Sequence, residues 1–159
     1  MKRLAIFLLI LFLACGKKSV PEYAPDFTLP DLKGDKISLS DFRGKIVILE
    51  FFTTWCKSCR LMVADLNQLY NRYRDKNVIF LGISLDGNVD LIYDFAKKLN
   101  IAYPILIGNE DIVLKYGGIS VLPHLVIVDP KGRIYKTHRG FMKKRKLEDD
   151  IISLIHLGP

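Results

Sequence analysis

Two cysteines three residues apart, Cys56 and Cys59 in the stretch TTWCKSC, are the residues here whose types and spacing could do chemistry. A thiolate attacks a disulfide sulfur, and this spacing brings both sulfurs to one side of a helical turn. A mixed disulfide at one cysteine is then open to attack by the other. The pair follows the apolar run KIVILEFF and precedes a segment of helical period, so Cys56 falls at a strand-to-helix junction and Cys59 one turn further on. Unpaired backbone N–H groups and the macrodipole at a helix start favour an anion, and Lys57 adds positive charge in the same sense. Because the thiolate is the reactive form, Cys56 is expected to be the nucleophile and Cys59 the resolving thiol. A structural disulfide usually closes a longer loop than this. A zinc site needs two further ligands, whereas no second paired motif exists and His124, His138 and His156 are isolated. No metal and no cofactor is expected.

Glu50 interrupts the apolar run six residues before Cys56. A buried carboxylate is costly, and desolvation raises its pKa. Either it serves a proton transfer beside the cysteines or it escapes to solvent at a strand edge.

The elements that must position these groups begin after an N-terminal segment of another kind. Lys2 and Arg3 precede an unbroken apolar run over residues 4–14, followed by Cys15, Gly16 and two lysines. Eleven apolar residues are too few for a stable span but match the core of an export signal. Pairing Cys56 with Cys59 leaves Cys15 over, and an odd cysteine in an exported chain needs an explanation. The stretch FLAC resembles the lipobox of bacterial lipoproteins, with Phe12 where Leu is usual. A diacylated Cys15 would anchor the domain to a membrane. The alternative is an uncleaved signal serving as the anchor, and both place the domain outside the cytoplasm. The expected organisation is a signal over 1–14, a tether over 15–24 and one domain over 25–159, a length that suits a single sizeable core. The formal charge of +7 drops to +5 once Lys2 and Arg3 are set aside. The remaining cations are dispersed except for KKRK at 143–146, a solvated helix face. Export makes nucleic acid an excluded partner class.

DFTLPDLKGDKISLSDF reads as a hairpin around Lys33-Gly34-Asp35, with Ser40 capping the short turn that follows. KIVILEFF and NVIFLGISL are strands buried on both faces. Between them a helix over 57–75 carries an inward stripe of Met62, Leu66, Leu69 and Tyr73. A second helix follows Asn88 as cap, with Leu91, Phe95 and Leu99 inward. YPILIG is a short strand and EDIVLKYGG a helical turn. HLVIVD and RIYKTHR flank Pro130-Lys131-Gly132 as an antiparallel hairpin, and KKRKLEDDIISLIH closes the chain as an amphipathic helix. Alternating β and α units followed by a hairpin and a helix imply an α/β fold, a mixed sheet flanked by helices on both faces.

APDFTLPDLKG, LSDFRGK, ILEFFTTWCKSC, YGGISVLPHLVIVDPKGRI and the trailing RGF resemble the TlpA/ResA-like thiol-disulfide oxidoreductases of the thioredoxin superfamily, which is related to the AhpC/TSA redoxins. The resemblance runs from about Ala24 to the C-terminus. It implies a thioredoxin fold with an N-terminal β-hairpin extension. It also implies a membrane-tethered, extracytoplasmic reductase of protein disulfides, with apocytochrome c among the candidate substrates and a membrane thiol-disulfide electron donor as a further partner. Glu50 would lie beneath the second cysteine and take the proton from Cys59. Pro123 would be a cis-proline facing the pair, with Leu122 offering its backbone to an extended substrate and Trp55 forming a contact surface beside the sulfurs. His124, where the family often has Thr, either tunes Cys56 or points into polar surface, the second being the expectation. Ser58 stands where the family usually has Pro, and Met62 where several cytochrome-maturation members carry Glu.

Two other functions use the same cysteines. A peroxiredoxin-like thiol peroxidase shares the APDFTLPDLKG opening, but the Pro expected before Thr53 is missing. A Cu(I) carrier would use Cys56 and Cys59, with His124 as an optional third ligand, since soft thiolates suit that ion. Copper-carrying relatives space their cysteines further apart.

Overall fold

The computed structural model describes residues 21–158. The expected signal, Cys15 and most of the tether lie outside them. The tether's last residues are held: Glu22 and Ala24 exchange backbone hydrogen bonds with Ile134 and Gly132, both 2.9 Å, so chain 22–24 runs beside the turn at 129–133.

A five-stranded sheet of order β5-β4-β3-β6-β7 is built from β3 (Ile46–Phe52), β4 (Val78–Ser84), β5 (Ile105–Ile107), β6 (His124–Val128) and β7 (Ile134–Arg139). The first three are parallel, and β6 and β7 run antiparallel to their neighbours. β1 (Thr28–Pro30) and β2 (Lys36–Ser38) form the expected N-terminal hairpin. Its turn is held by the Asp31 carboxylate, which accepts the N–H groups of Lys33 and Asp35 at 2.8 and 2.9 Å. The short turn after β2 has Ser38 as its N-cap, not Ser40. The reason is local: Asp41 accepts the Ser38 N–H at 2.9 Å, while the Ser40 N–H is taken by Asp26.

β3 is central and all seven of its residues are buried, as its near-continuous apolar sequence requires. Its alternation divides the core. Ile46 and Ile48 point with Leu125 and Ile127 toward α1 (Lys57–Tyr73) and α4 (Lys144–Leu157), where Met62, Leu66, Leu69, Tyr73, Leu147, Ile151 and Leu154 pack. Val47, Leu49 and Phe51 point the other way, toward Phe27, Leu29, Leu39 and the Ile112 and Tyr116 of the region around α3 (Glu110–Lys115). A mixed sheet covered on both faces is therefore present.

α2 (Val89–Lys98) buries Ile92 and Phe95, with Leu99 half-buried, and leaves Leu91 exposed. The expected stripe of Leu91, Phe95 and Leu99 is thus corrected by one position at its start. The helix docks through the i, i+3, i+7 row from Ile92, because Ile92 faces Phe52 and Ile105 beside the cysteines.

Candidate active site

β3 delivers the chain to the site and ends at Phe52. Thr53, Thr54 and Trp55 turn it into α1. That turn is clamped from the neighbouring strand: Asp86, just past β4, accepts the Thr54 N–H at 2.8 Å and the Thr54 hydroxyl at 3.2 Å, and is itself held by the Ser84 hydroxyl at 2.9 Å. Arg60 closes the turn from the helix side by donating Nε and Nη2 to the Thr54 carbonyl at 3.0 and 2.7 Å.

Cys56 is the N-cap of α1, and its Sγ accepts the Cys59 N–H at 3.2 Å. A sulfur in that position meets the unpaired N–H groups and positive end of a seventeen-residue helix, so negative charge on Cys56 is stabilised when the pair is reduced. Cys56 and Cys59 are disulfide-bonded, with Cα atoms 5.3 Å apart. Cys59 lies beneath, 1% exposed, packed with Phe52, Ile92 and Phe95.

Outside the disulfide lies a groove of about 610 Å³, walled by Trp55, Cys56, Ser58, Leu61, Val121 and Leu122. Trp55 is 74% exposed and Leu61 63%, so the approach to Cys56 is apolar and open. The Leu122–Pro123 peptide bond, next to the groove-lining Leu122, is cis, and Pro123 is buried. Ser58 links the two sides. Its hydroxyl lies 3.4 Å from the Leu122 carbonyl and 3.4 Å from Cys56 Sγ.

Glu50 does not reach solvent at a strand edge: β3 is flanked by β4 and β6, and Glu50 is 3% exposed. It lines a gap with Cys59, Phe52, Val63, Phe95, Ile101 and Tyr103 that is too tight to admit a water. Tyr103 donates its hydroxyl to Glu50 Oε2 at 2.9 Å, while Oε1 has no partner among the described residues. Burial raises the Glu50 carboxyl to about 7, against a smaller lowering by the Tyr103 bond. A carboxylate with that proton affinity, beside a buried thiol, can accept and return a proton near neutral pH.

His124 is corrected. It is buried, not at polar surface. It is the first residue of β6 and pairs with Phe51, so its ring shares Phe51's side of the sheet, 6.0 Å from that ring and edge-on to it. The cysteine cluster packs on the opposite face with Phe52. Neither ring nitrogen has a partner among the described residues, and burial, helped by Arg139, lowers its pKa to about 4. His124 is therefore not brought to the cysteines as a third copper ligand.

Tyr103, Asp86 and the Ser58 hydroxyl are site groups that the sequence does not mark as such. Ser84-x-Asp86 after a buried strand is a turn signal that could have located the clamp. Nothing local points to Tyr103, which meets Glu50 across 53 residues of chain.

Residues 20–137 match the model of the AhpC/TSA family. The thiol-disulfide oxidoreductase ResA of Geobacillus kaustophilus is 35% identical over an alignment covering 86% of this chain and 78% of that one. ResA of Bacillus thuringiensis subsp. konkukian is 30% identical, covering 92% and 94%. Among solved structures, the thioredoxin domain of a thiol-disulfide oxidoreductase from Bacteroides vulgatus superposes with a TM-score of 0.76 at 26% identity, covering 86% of this chain and 98% of that one.

Proposed function

The chain belongs to the AhpC/TSA family and, within it, to the ResA-like thiol-disulfide oxidoreductases; on that premise we propose that it is an extracytoplasmic reductase of protein disulfides, anchored by a lipid on Cys15. The Cys56 thiolate attacks a substrate disulfide, forming a mixed disulfide and releasing one substrate thiolate, which takes a proton from solvent. Glu50 then removes the proton of Cys59. The Cys59 thiolate attacks Cys56 Sγ, closing the Cys56–Cys59 bond and expelling the second substrate sulfur as its electron pair departs. Two electrons pass from the cysteine pair to the substrate, and a membrane thiol-disulfide donor restores them.

The observation that carries this reading is the division of environments at the pair. Cys56 caps a helix and borders an open apolar groove, whereas Cys59 lies buried over a carboxylate whose pKa is about 7. An extended segment lying on Trp55, Leu61, Val121 and Leu122 would present its disulfide to Cys56, which suits an unfolded protein such as apocytochrome c. The reading is tested by trapping. Cys59→Ser should accumulate mixed disulfides with a disulfide-bearing substrate peptide through Cys56, while Cys56→Ser accumulates few, as counted on non-reducing gels and by mass. Equal trapping by both variants would remove the assigned roles, and rapid peroxide consumption by the reduced protein would favour a peroxidase.

A further inference from the structure

Among the described residues Glu50 has one polar partner, the Tyr103 hydroxyl. Tyr103 is itself 4% exposed, so both ends of the bond are out of water. Space for its ring comes from Gly82, the residue of β4 opposite Glu50. A Cβ at that glycine would meet Tyr103 Cε2 and Phe52 Cε1, each at 3.2 Å.

We propose that Tyr103 is a positioning residue for resolution of the mixed disulfide: its hydroxyl holds Oε2 of Glu50, leaving Oε1 as the oxygen that takes the Cys59 proton. This rests on the reading of Glu50 as the proton acceptor. The carboxylate is confined to the water-free gap it shares with Cys59, so its orientation must be set by protein groups. In the resolving step the Cys59 S–H proton goes to Oε1. Cys59 Sγ bonds to Cys56 Sγ, the bond from Cys56 to the substrate sulfur breaks, and that sulfur leaves with the electron pair and is protonated by solvent. The substrate is reduced and the cysteine pair oxidised. Glu50 afterwards gives up its proton to solvent.

Among the described residues, no other charged group competes for this carboxylate. β4 presents Gly82 and β6 presents Leu125. α1 offers Cys59, Met62 and Val63, and α2 offers Phe95. Arg60 is turned to the Thr54 carbonyl. On the same face, two strands away and so roughly 10 Å off, His138 stands opposite Leu125, where it and Lys136 are engaged by Asp150. Loss of the Tyr103 hydroxyl therefore removes the one bond that favours the ionised form, and the Glu50 titration must move upward.

The experiment compares wild type, Tyr103→Phe, Glu50→Gln and the double variant. Mixed-disulfide resolution is followed by stopped flow from pH 5 to 10, and the Glu50 carboxyl is titrated by carbon NMR in the reduced protein. Tyr103→Phe should raise both midpoints by about one pH unit. Resolution at pH 7 should then fall roughly fivefold to tenfold and recover in more alkaline solution. In the Glu50→Gln background the same change should add nothing. Gly82→Ala, which keeps the hydroxyl but displaces the ring, should shift the midpoints in the same direction. An unmoved Glu50 midpoint in Tyr103→Phe, or a rate loss equal at every pH, overturns the inference while leaving Glu50 as the base. A Glu50→Gln profile identical to wild type removes the Glu50 reading and the inference with it.

Discussion

At the scale of single residues, the two buried titratable groups on opposite faces of the central strands pull stability in opposite directions. Glu50 is raised to about 7 in the fold against an ordinary 4.5, so the folded state holds the extra proton between those values. Its contribution is present at low pH and is lost as pH rises through that window, by roughly 3 kcal/mol. His124 is lowered from 6.5 to about 4, so there the unfolded chain binds the extra proton. Its effect reverses the sign: stability falls as pH drops through 6.5 toward 4. Where the windows overlap the slopes offset one another, and single substitutions unmask them. Relative to wild type, oxidised Glu50→Gln should gain stability as pH rises from 4.5 to 7, and His124→Leu should gain it as pH falls from 6.5 to 4. Urea midpoints across pH measure both. Curves that stay parallel to wild type would mean that neither group titrates as its burial dictates.

At the scale of elements, the site depends on two helices meeting at the end of β3. α1 supplies the cap position for Cys56, and α2 closes the gap above Glu50 through Phe95, whose ring stacks on Phe52 with centroids 5.5 Å apart. α2 has ten residues, too few to be stable alone, and its start is fixed by Asn88. The Asn88 side-chain oxygen accepts the N–H groups of Asp90 and Leu91 at 3.0 and 3.3 Å. Asn88→Ala should therefore cost about 1 kcal/mol, and Asn88→Asp much less, because an aspartate preserves the acceptor. Denaturant midpoints check the cost. Hydrogen exchange should place the loss in α2 and not in the central sheet, and equal midpoints for all three proteins would dismiss the cap.

At the scale of the whole molecule, the chain enters at the end remote from its chemistry. Ala24 is bound to Gly132 in the β6–β7 turn, whereas Cys56 follows the opposite end of β3, a strand of seven residues that spans roughly 20 Å. A lipid on Cys15 would connect to the domain through the Ala24 end of the sheet. Cys15→Ala should then lose fatty-acid label and membrane retention, while the purified domain exchanges disulfides with a soluble peptide at the wild-type rate. Undiminished labelling of the variant would rule out the lipid anchor.

The parts of the structure legible in the chain alone are those whose causes are local. The spacing of Cys56 and Cys59 after a buried strand, the turn signal at Pro130-Lys131-Gly132, the Asn88 cap and the period of α1 each depend on neighbours within a few residues. The mixed α/β sheet follows from their order. Cis geometry at Pro123 was legible only through resemblance, since composition does not distinguish the isomers. Tertiary structure alone decided which face each strand residue meets. Whether His124 lies with Phe51 or with the cysteines, and whether helix α2 docks on Ile92 or Leu91, depends on partners far along the chain. Glu50 is the sharpest case. That burial would raise its pKa was readable from KIVILEFF, but its hydrogen-bond partner was not, because the Tyr103 hydroxyl and the space left by Gly82 are brought to it only when β3, β4 and the chain before β5 assemble.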